Sequence, residues 1–116
     1  MSVDKSLLTG STTMLLLKLL EDKDMYGYQM IEELSKKSDD TFTLKAGTLY
    51  PLLHNLEQQG MVTSYDENAD SLRVREYYSI TKKGRGLLAD KKAEWKAFSS
   101  AVNQVLKGGV TVEAAC

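Results

Sequence analysis

The residues with the most chemical character lie on one stretch, AGTLYPLLHNLEQQGMV, from Ala46 to Val62. Leu49, Leu52, Leu53 and Leu56 recur at i, i+3, i+4 and i+7, which is one face of an amphipathic helix. At about 100° per residue, Gly47, Pro51, His54, Asn55 and Gln58 fall near the opposite pole, with Thr48 and Tyr50 on the flanks. This outward face is polar, small and nearly uncharged, unlike the Lys/Glu face of an ordinary solvated helix. Its groups donate and accept hydrogen bonds and carry little charge. That is the chemistry of a recognition surface. The only proline of the chain, Pro51, stands inside the pattern, where it withholds an N–H and its ring crowds the preceding turn.

Catalytic arrangements are missing. The chain has one histidine and one cysteine, no glycine-rich phosphate loop and no H-x-x-x-H pair. Glu32–Glu33 and Asp39–Asp40 are adjacent pairs, and neighbours do not face each other across a substrate. Cys116 follows GGVTVEAA and reads as a frayed end; a lone thiol builds neither an internal disulfide nor a thiolate metal cage. No enzyme, metal or cofactor is expected.

A chain of 116 residues with 42% hydrophobic and 27% charged content suits one soluble domain with a projecting element. No apolar run approaches the ~20 residues of a membrane span, and MSVDKSLL lacks the features of a secretory signal, so a cytoplasmic protein without membrane contact is expected. The net charge of −1 is uninformative because the charges are unevenly spread. KKGRGLLADKK, Lys82 to Lys92, is basic, whereas DENAD, Asp66 to Asp70, is acidic.

Five elements are expected to position these groups. A first helix, from about Leu7 to Lys23, is apolar around more than half its circumference and needs several partners. A second, in DKDMYGYQMIEELSKK, takes Asp24 as N-cap and a stripe of Tyr28, Ile31 and Leu34, with Lys36 and Lys37 suiting its C-terminal dipole. SDDTF then turns the chain. The third helix spans Leu44 to Gln59, and Gly60 stops it. MVTSYDENADSLRVREYYSI alternates as a hairpin about a turn at Asn68 to Ser71, with Arg73, Arg75 and Tyr77 on one face and Val74, Tyr78 and Ile80 on the other. Thr81 caps a final helix of about 25 residues that ends at Gly108–Gly109. Its Leu88, Trp95, Phe98, Val102 and Val105 fall at heptad a and d positions, with Lys91 the misfit, and the seam asks for a second copy.

The resulting fold class is mainly α with a small β-hairpin: a winged helix-turn-helix over 1–80, a dimerisation helix over 81–107 and a flexible tail over 108–116. In such a fold the second helix crosses the DNA backbone, the third enters the major groove and the hairpin is the wing. GTLYPLLHNLEQQGMV, the later YYSITKKG, YGYQMIEEL in the second helix and the tryptophan of the final helix together resemble the PadR family of bacterial transcriptional regulators. The single final helix is similar to the compact subgroup that includes multidrug-sensing repressors. The resemblance implies a homodimer on a two-fold-related DNA operator, released by a small ligand. It also implies a pore between paired tryptophans that holds planar aromatic or phenolic effectors, with Trp95 in AEWKAF at the matching place. Asn55 departs from the arginine common at that position, and NADSLRVREYY lacks the usual glycines and basic run of the wing.

On this reading Lys45, Thr48, Tyr50, Pro51, His54 and Asn55 face DNA, and Lys36, Lys37, Arg73, Arg75, Lys82 and Lys83 anchor phosphates. Leu8, Ser11, Phe98, Val102 and Val105 line the dimer interface or ligand cavity around Trp95, and Asp90 or Glu94 favours a cationic guest. The alternatives are a solvated helix face, and a tryptophan that packs the dimer core without touching a ligand. At the level of function the rival is a dimer that binds small molecules or a protein, with weak or no specific DNA binding.

Overall fold

Leu16, Leu17, Leu19 and Leu20 point to different sides of one helix and are all buried, so the helix that carries them is enclosed on several sides. The computed structural model describes the backbone of residues 5–70 and 73–115 and the side chains of 6–67 and 74–107. That first helix, α1 (Lys5–Asp22), packs against the second helix, the last helix and a strand of the wing. Enclosure on several sides is what its sequence requires.

After α1 the chain forms a short strand, β1 (Met25–Tyr26), and then α2 (Gly27–Lys37). Two expectations need correction here. Asp24 is not the N-cap; Tyr26 holds that position without a side-chain cap, because residues 25–26 are drawn into the sheet first. The buried residues of α2 are Gly27, Met30 and Leu34, with Ile31 packed partly against the core; of the expected stripe Tyr28 alone falls outside, 62% exposed beside the wing. Lys36 and Lys37 occupy the last turn as expected. Asp39 and Asp40 then adopt positive φ of 53° and 63°, a conformation that aspartate tolerates better than most side chains. Ser38 fixes the turn: its Oγ donates to the Leu34 carbonyl at 2.8 Å and accepts from the Phe42 N–H at 3.0 Å.

Helix α3 (Ala46–Gln58) buries Leu49, Leu53 and Leu56, carries Pro51 internally and ends at Gly60, whose φ of 78° suits a residue without Cβ. The hairpin follows as β2 (Val62–Asp70) and β3 (Arg73–Ile80), with a register irregularity between Asn68 and Asp70. Most of the turn expected at Asn68 to Ser71 is strand, and Ser71 lies outside the described residues. β1 adds to the free edge of β3, giving a three-stranded antiparallel sheet in the order β1-β3-β2. Two residues are too few for alternation to reveal a strand. Tyr78 and Ile80 are buried under the sheet as expected, but Val74 on the same side lies beyond the core and is 61% exposed.

Thr81 caps the last helix, α4 (Lys82–Ala115): its Oγ1 accepts from the Gly84 N–H at 3.0 Å. The first turns of α4 belong to the core, where Leu88 is buried and Gly84 lies against the Met61 carbonyl. The expected stop at Gly108–Gly109 does not occur, and the helix runs for 34 residues. Each glycine weakens a helix by about 1 kcal/mol against alanine, yet unlike proline it removes no hydrogen bond, so a pair need not end one. The span expected as a tail is therefore helical through Ala115, while Cys116 lies outside the described residues. The projection of α4 sets the shape of the molecule: the radius of gyration is 17.5 Å, against about 13 Å for a compact chain of this length. Among the described residues no helix is long and apolar enough to cross a membrane.

Candidate nucleic-acid interface

The leucine face of α3 is sealed against the core, so the other face must meet solvent or a partner. Gly47, Thr48, Pro51, His54, Asn55 and Gln58 are all exposed there and form one strip along the helix. A Cβ built on Gly47 meets nothing within 4 Å, so the surface beside Pro51 is open to close approach. Pro51 has no N–H for the Gly47 carbonyl four residues earlier, which leaves that acceptor on the outer face. Lys45 is the N-cap of α3, exposed, and makes no side-chain cap bond.

Tyr50 is placed differently from Thr48. Its ring is half-buried and fills the space that a side chain at Gly27 would take, which ties the start of α2 to the middle of α3. Burial pushes its phenol above the ordinary value, so it remains a neutral donor. Asn55 accepts a hydrogen bond from Gln59 Nε2 at 2.7 Å, a contact along the exposed side of the helix that leaves its own amide N–H groups available. The wing is fastened to α3 by Ser64 Oγ donating to Glu57 Oε2 at 2.6 Å.

The basic residues divide by what already holds them. Lys36 and Lys37 are exposed at the end of α2, and Lys36 lies 3.8 Å from Glu33. Lys82 is exposed at the start of α4. Lys83 instead donates to the Gln59 carbonyl at 3.0 Å and so caps the end of α3. Arg75 is half-buried with its guanidinium 4.4 Å above the Tyr26 ring. The side chain of Arg73 lies outside the described residues. The wing also carries acid: Asp66 pairs directly with Glu76, and Glu67 with Arg75.

Tyr26, Tyr28, Tyr50, Val74, Arg75 and Glu76 enclose an open hollow of about 530 Å³ between the start of α2, α3 and the wing. Tyr26 and Tyr28 were not singled out by their sequence pattern as site residues. Their contribution depends on a strand too short to recognise and on the resulting later start of α2.

A second concave region lies away from this face. Ser6, Leu7, Gly10, Ser11, Met14, Lys91, Glu94, Trp95 and Phe98 line a groove of about 300 Å³ between α1 and α4. Ser11, Glu94, Trp95 and Phe98 were expected there. Leu8, Asp90 and Val102, expected at a cavity of the dimer interface, and the seam residue Val105 do not line this groove of the single chain; Leu8 is half-buried in α1, and the other three are exposed along α4. Leu7, Gly10 and Met14 were overlooked, although their i, i+3, i+7 spacing on α1 marks a common face. Along the arm Trp95 is 48% exposed, Phe98 59% and Val105 79%, and the Trp95 and Phe98 rings lie 6.1 Å apart.

Comparison with known proteins agrees with this arrangement. Residues 16–90 match the transcriptional regulator PadR-like family. A transcriptional regulator of Mycobacterium tuberculosis is 32% identical over 87 residues, covering 75% of this chain and 75% of that protein. Among solved structures, a PadR family transcriptional regulator from Eggerthella lenta is 31% identical with a TM-score of 0.80, over 89% of this chain and 88% of its own. A transcriptional regulator from Clostridium thermocellum is 29% identical with a TM-score of 0.80, over 86% of this chain and 97% of its own.

Proposed function

This chain belongs to the PadR-like family of transcriptional regulators, and we propose that it acts as a homodimeric repressor which a small ligand releases from a palindromic operator. Its coarser role is that of a DNA-binding transcriptional regulator, not an enzyme. The observation that carries DNA recognition is the exposed strip of α3, with hydrogen-bonding groups and little charge, standing beside a wing. Thr48 and Asn55 read base edges, and the small surface of Gly47 and Pro51 admits the groove wall. His54 lies on the same strip as a flank of that surface. Tyr50 sets the angle of α3 against α2 and presents its hydroxyl to the backbone. Lys36, Lys37, Lys45, Lys82 and the wing arginines Arg73 and Arg75 neutralise phosphates, and Lys83 acts mainly by holding the end of α3.

The apolar seam of α4 supports the dimer. Trp95, Phe98, Val102 and Val105 leave large apolar surface in water on an arm that a single copy cannot cover. A planar aromatic or phenolic effector would stack on Trp95 in the groove beside Ser11 and Phe98, and Glu94 would favour a cationic one. Such a ligand induces transcription if it binds the DNA-incompetent spacing of the two recognition helices more tightly than the competent one.

The acidic wing gives the rival reading a footing. A dimer that binds small molecules but not a specific DNA sequence predicts Trp95 fluorescence quenched by planar dyes and no specific retardation of DNA upstream of its own gene, even at low salt. The repressor predicts specific retardation that the quenching dye reverses. A gel-shift titration run beside the fluorescence titration separates the two.

A further inference from the structure

The outer face of the wing carries a row of rings, Tyr26, Tyr77 and Tyr65. Tyr26 and Tyr77 face each other across the β1–β3 pair, with ring centres 5.4 Å apart and planes at 73°. Tyr65 stacks on Tyr77 at 5.7 Å and 14°. The Tyr65 hydroxyl donates to Asp24 Oδ2 at 2.7 Å, which ties the far end of the row back to the segment that carries Tyr26. Over the near end lies the Arg75 guanidinium, 4.4 Å above the Tyr26 ring.

Arg75 has an obvious alternative partner. Glu67 stands directly opposite it in the β2–β3 register. A cross-strand ion pair would neutralise the arginine and use its N–H groups. Among the described residues no carboxylate lies within ion-pair distance of Arg75, and the ring is the contact it makes. Stacking on a ring face attracts the cation without cancelling its charge, and the N–H donors lie in the guanidinium plane, where an anion can still reach them. Arg75 also borders the hollow shared with Tyr28 and Tyr50.

We propose that Tyr26 is a positioning residue for DNA binding: its ring withholds Arg75 from Glu67 and presents the guanidinium, charged and oriented, to a backbone phosphate at the hollow between wing and α2. This rests on the phosphate-anchoring role of Arg75 given above. Tyr26 therefore acts through Arg75 and touches no base.

The test is the salt dependence of DNA affinity, because the slope of log K against log salt counts phosphates neutralised. The full chain is titrated by fluorescence anisotropy against a labelled duplex selected from a random pool by the wild-type protein. Arg75→Gln is expected to reduce the slope by about 0.9 per protomer. Tyr26→Leu should reduce it equally, Tyr26→Phe should keep the wild-type slope, and Tyr26→Leu combined with Arg75→Gln should lose no more than either alone. A merely structural role for Tyr26 would lower the melting temperature and the active fraction of Tyr26→Leu while leaving its slope intact, and that result overturns the proposal. An unchanged slope in Arg75→Gln would instead overturn the phosphate assignment beneath it.

Discussion

At the scale of single residues, the division between reading and anchoring groups makes distinct predictions. Thr48→Ala and Asn55→Ala should each reduce discrimination between operator and scrambled duplex by about 1–3 kcal/mol, measured by competitive anisotropy. Lys45→Ala should weaken both duplexes alike. Pro51→Ala restores a donor for the Gly47 carbonyl, so it should raise the melting temperature while weakening specific binding; unchanged affinity and specificity would remove the proline from the reading surface. The Tyr65 phenol is held up to about 12, above its ordinary 10.0, first by its hydrogen bond to Asp24. A raised folded-state value means that its stabilisation is complete below pH 10 and lost as pH rises through 12. The melting-temperature deficit of Tyr65→Phe should therefore be constant to about pH 10 and shrink above it. The absence of any deficit below pH 10 would show that the hydroxyl contributes nothing. The orientation of Tyr50 could not be read from α3 alone, because the space it fills belongs to Gly27 on another helix.

At the scale of elements, Gly84 and Gly86 carry the same helix penalty in sequence but differ in their surroundings. A Cβ at Gly84 would run into the Met61 carbonyl, which is backbone and cannot rotate away, whereas one at Gly86 meets nothing within 4 Å. Gly84→Ala should destabilise by about 1–3 kcal/mol through overpacking. Gly86→Ala should stabilise by up to about 1 kcal/mol through helix propensity, both read from urea denaturation. Equal effects of the two would contradict the close packing of α4 on the α3–β2 junction. Elements with long periodic signals were legible: the leucines of α3, the Thr81 cap of α4 and the buried Tyr78 and Ile80 of the hairpin appear where their residues predict, whereas Val74 and the expected turn do not. β1 was not, since a two-residue strand exists only because β3 offers an edge. That miss carried the false Asp24 cap, the misplaced Tyr28 and the overlooked ring row with it. The length of α4 was underestimated for a different reason, as a glycine pair weakens a helix without forbidding it.

At the scale of the whole molecule, the arm of α4 and the strip of α3 belong to one device only if two copies combine. Replacing Val102 and Val105 together with glutamate would bury like charges in the seam, so sedimentation should show monomers where the unaltered chain forms dimers. A monomeric unaltered chain would refute the seam. Dimer-dependent recognition requires two α3 helices about 34–36 Å apart, one helical turn of DNA. The heptad seam is the sequence feature that raises this requirement; the groove between α1 and α4 was only partly legible, because Leu7, Gly10 and Met14 join it through packing between distant segments. The most direct test of the account is the affinity and mass of the complex on a selected operator whose half-sites are moved apart by insertion at its centre. Two protomers should bind the native spacing, insertion of half a helical turn should abolish the tight complex, and insertion of a full turn should restore some of it. One protomer per duplex, or an affinity indifferent to spacing, would contradict a homodimer that reads a palindrome through paired α3 helices.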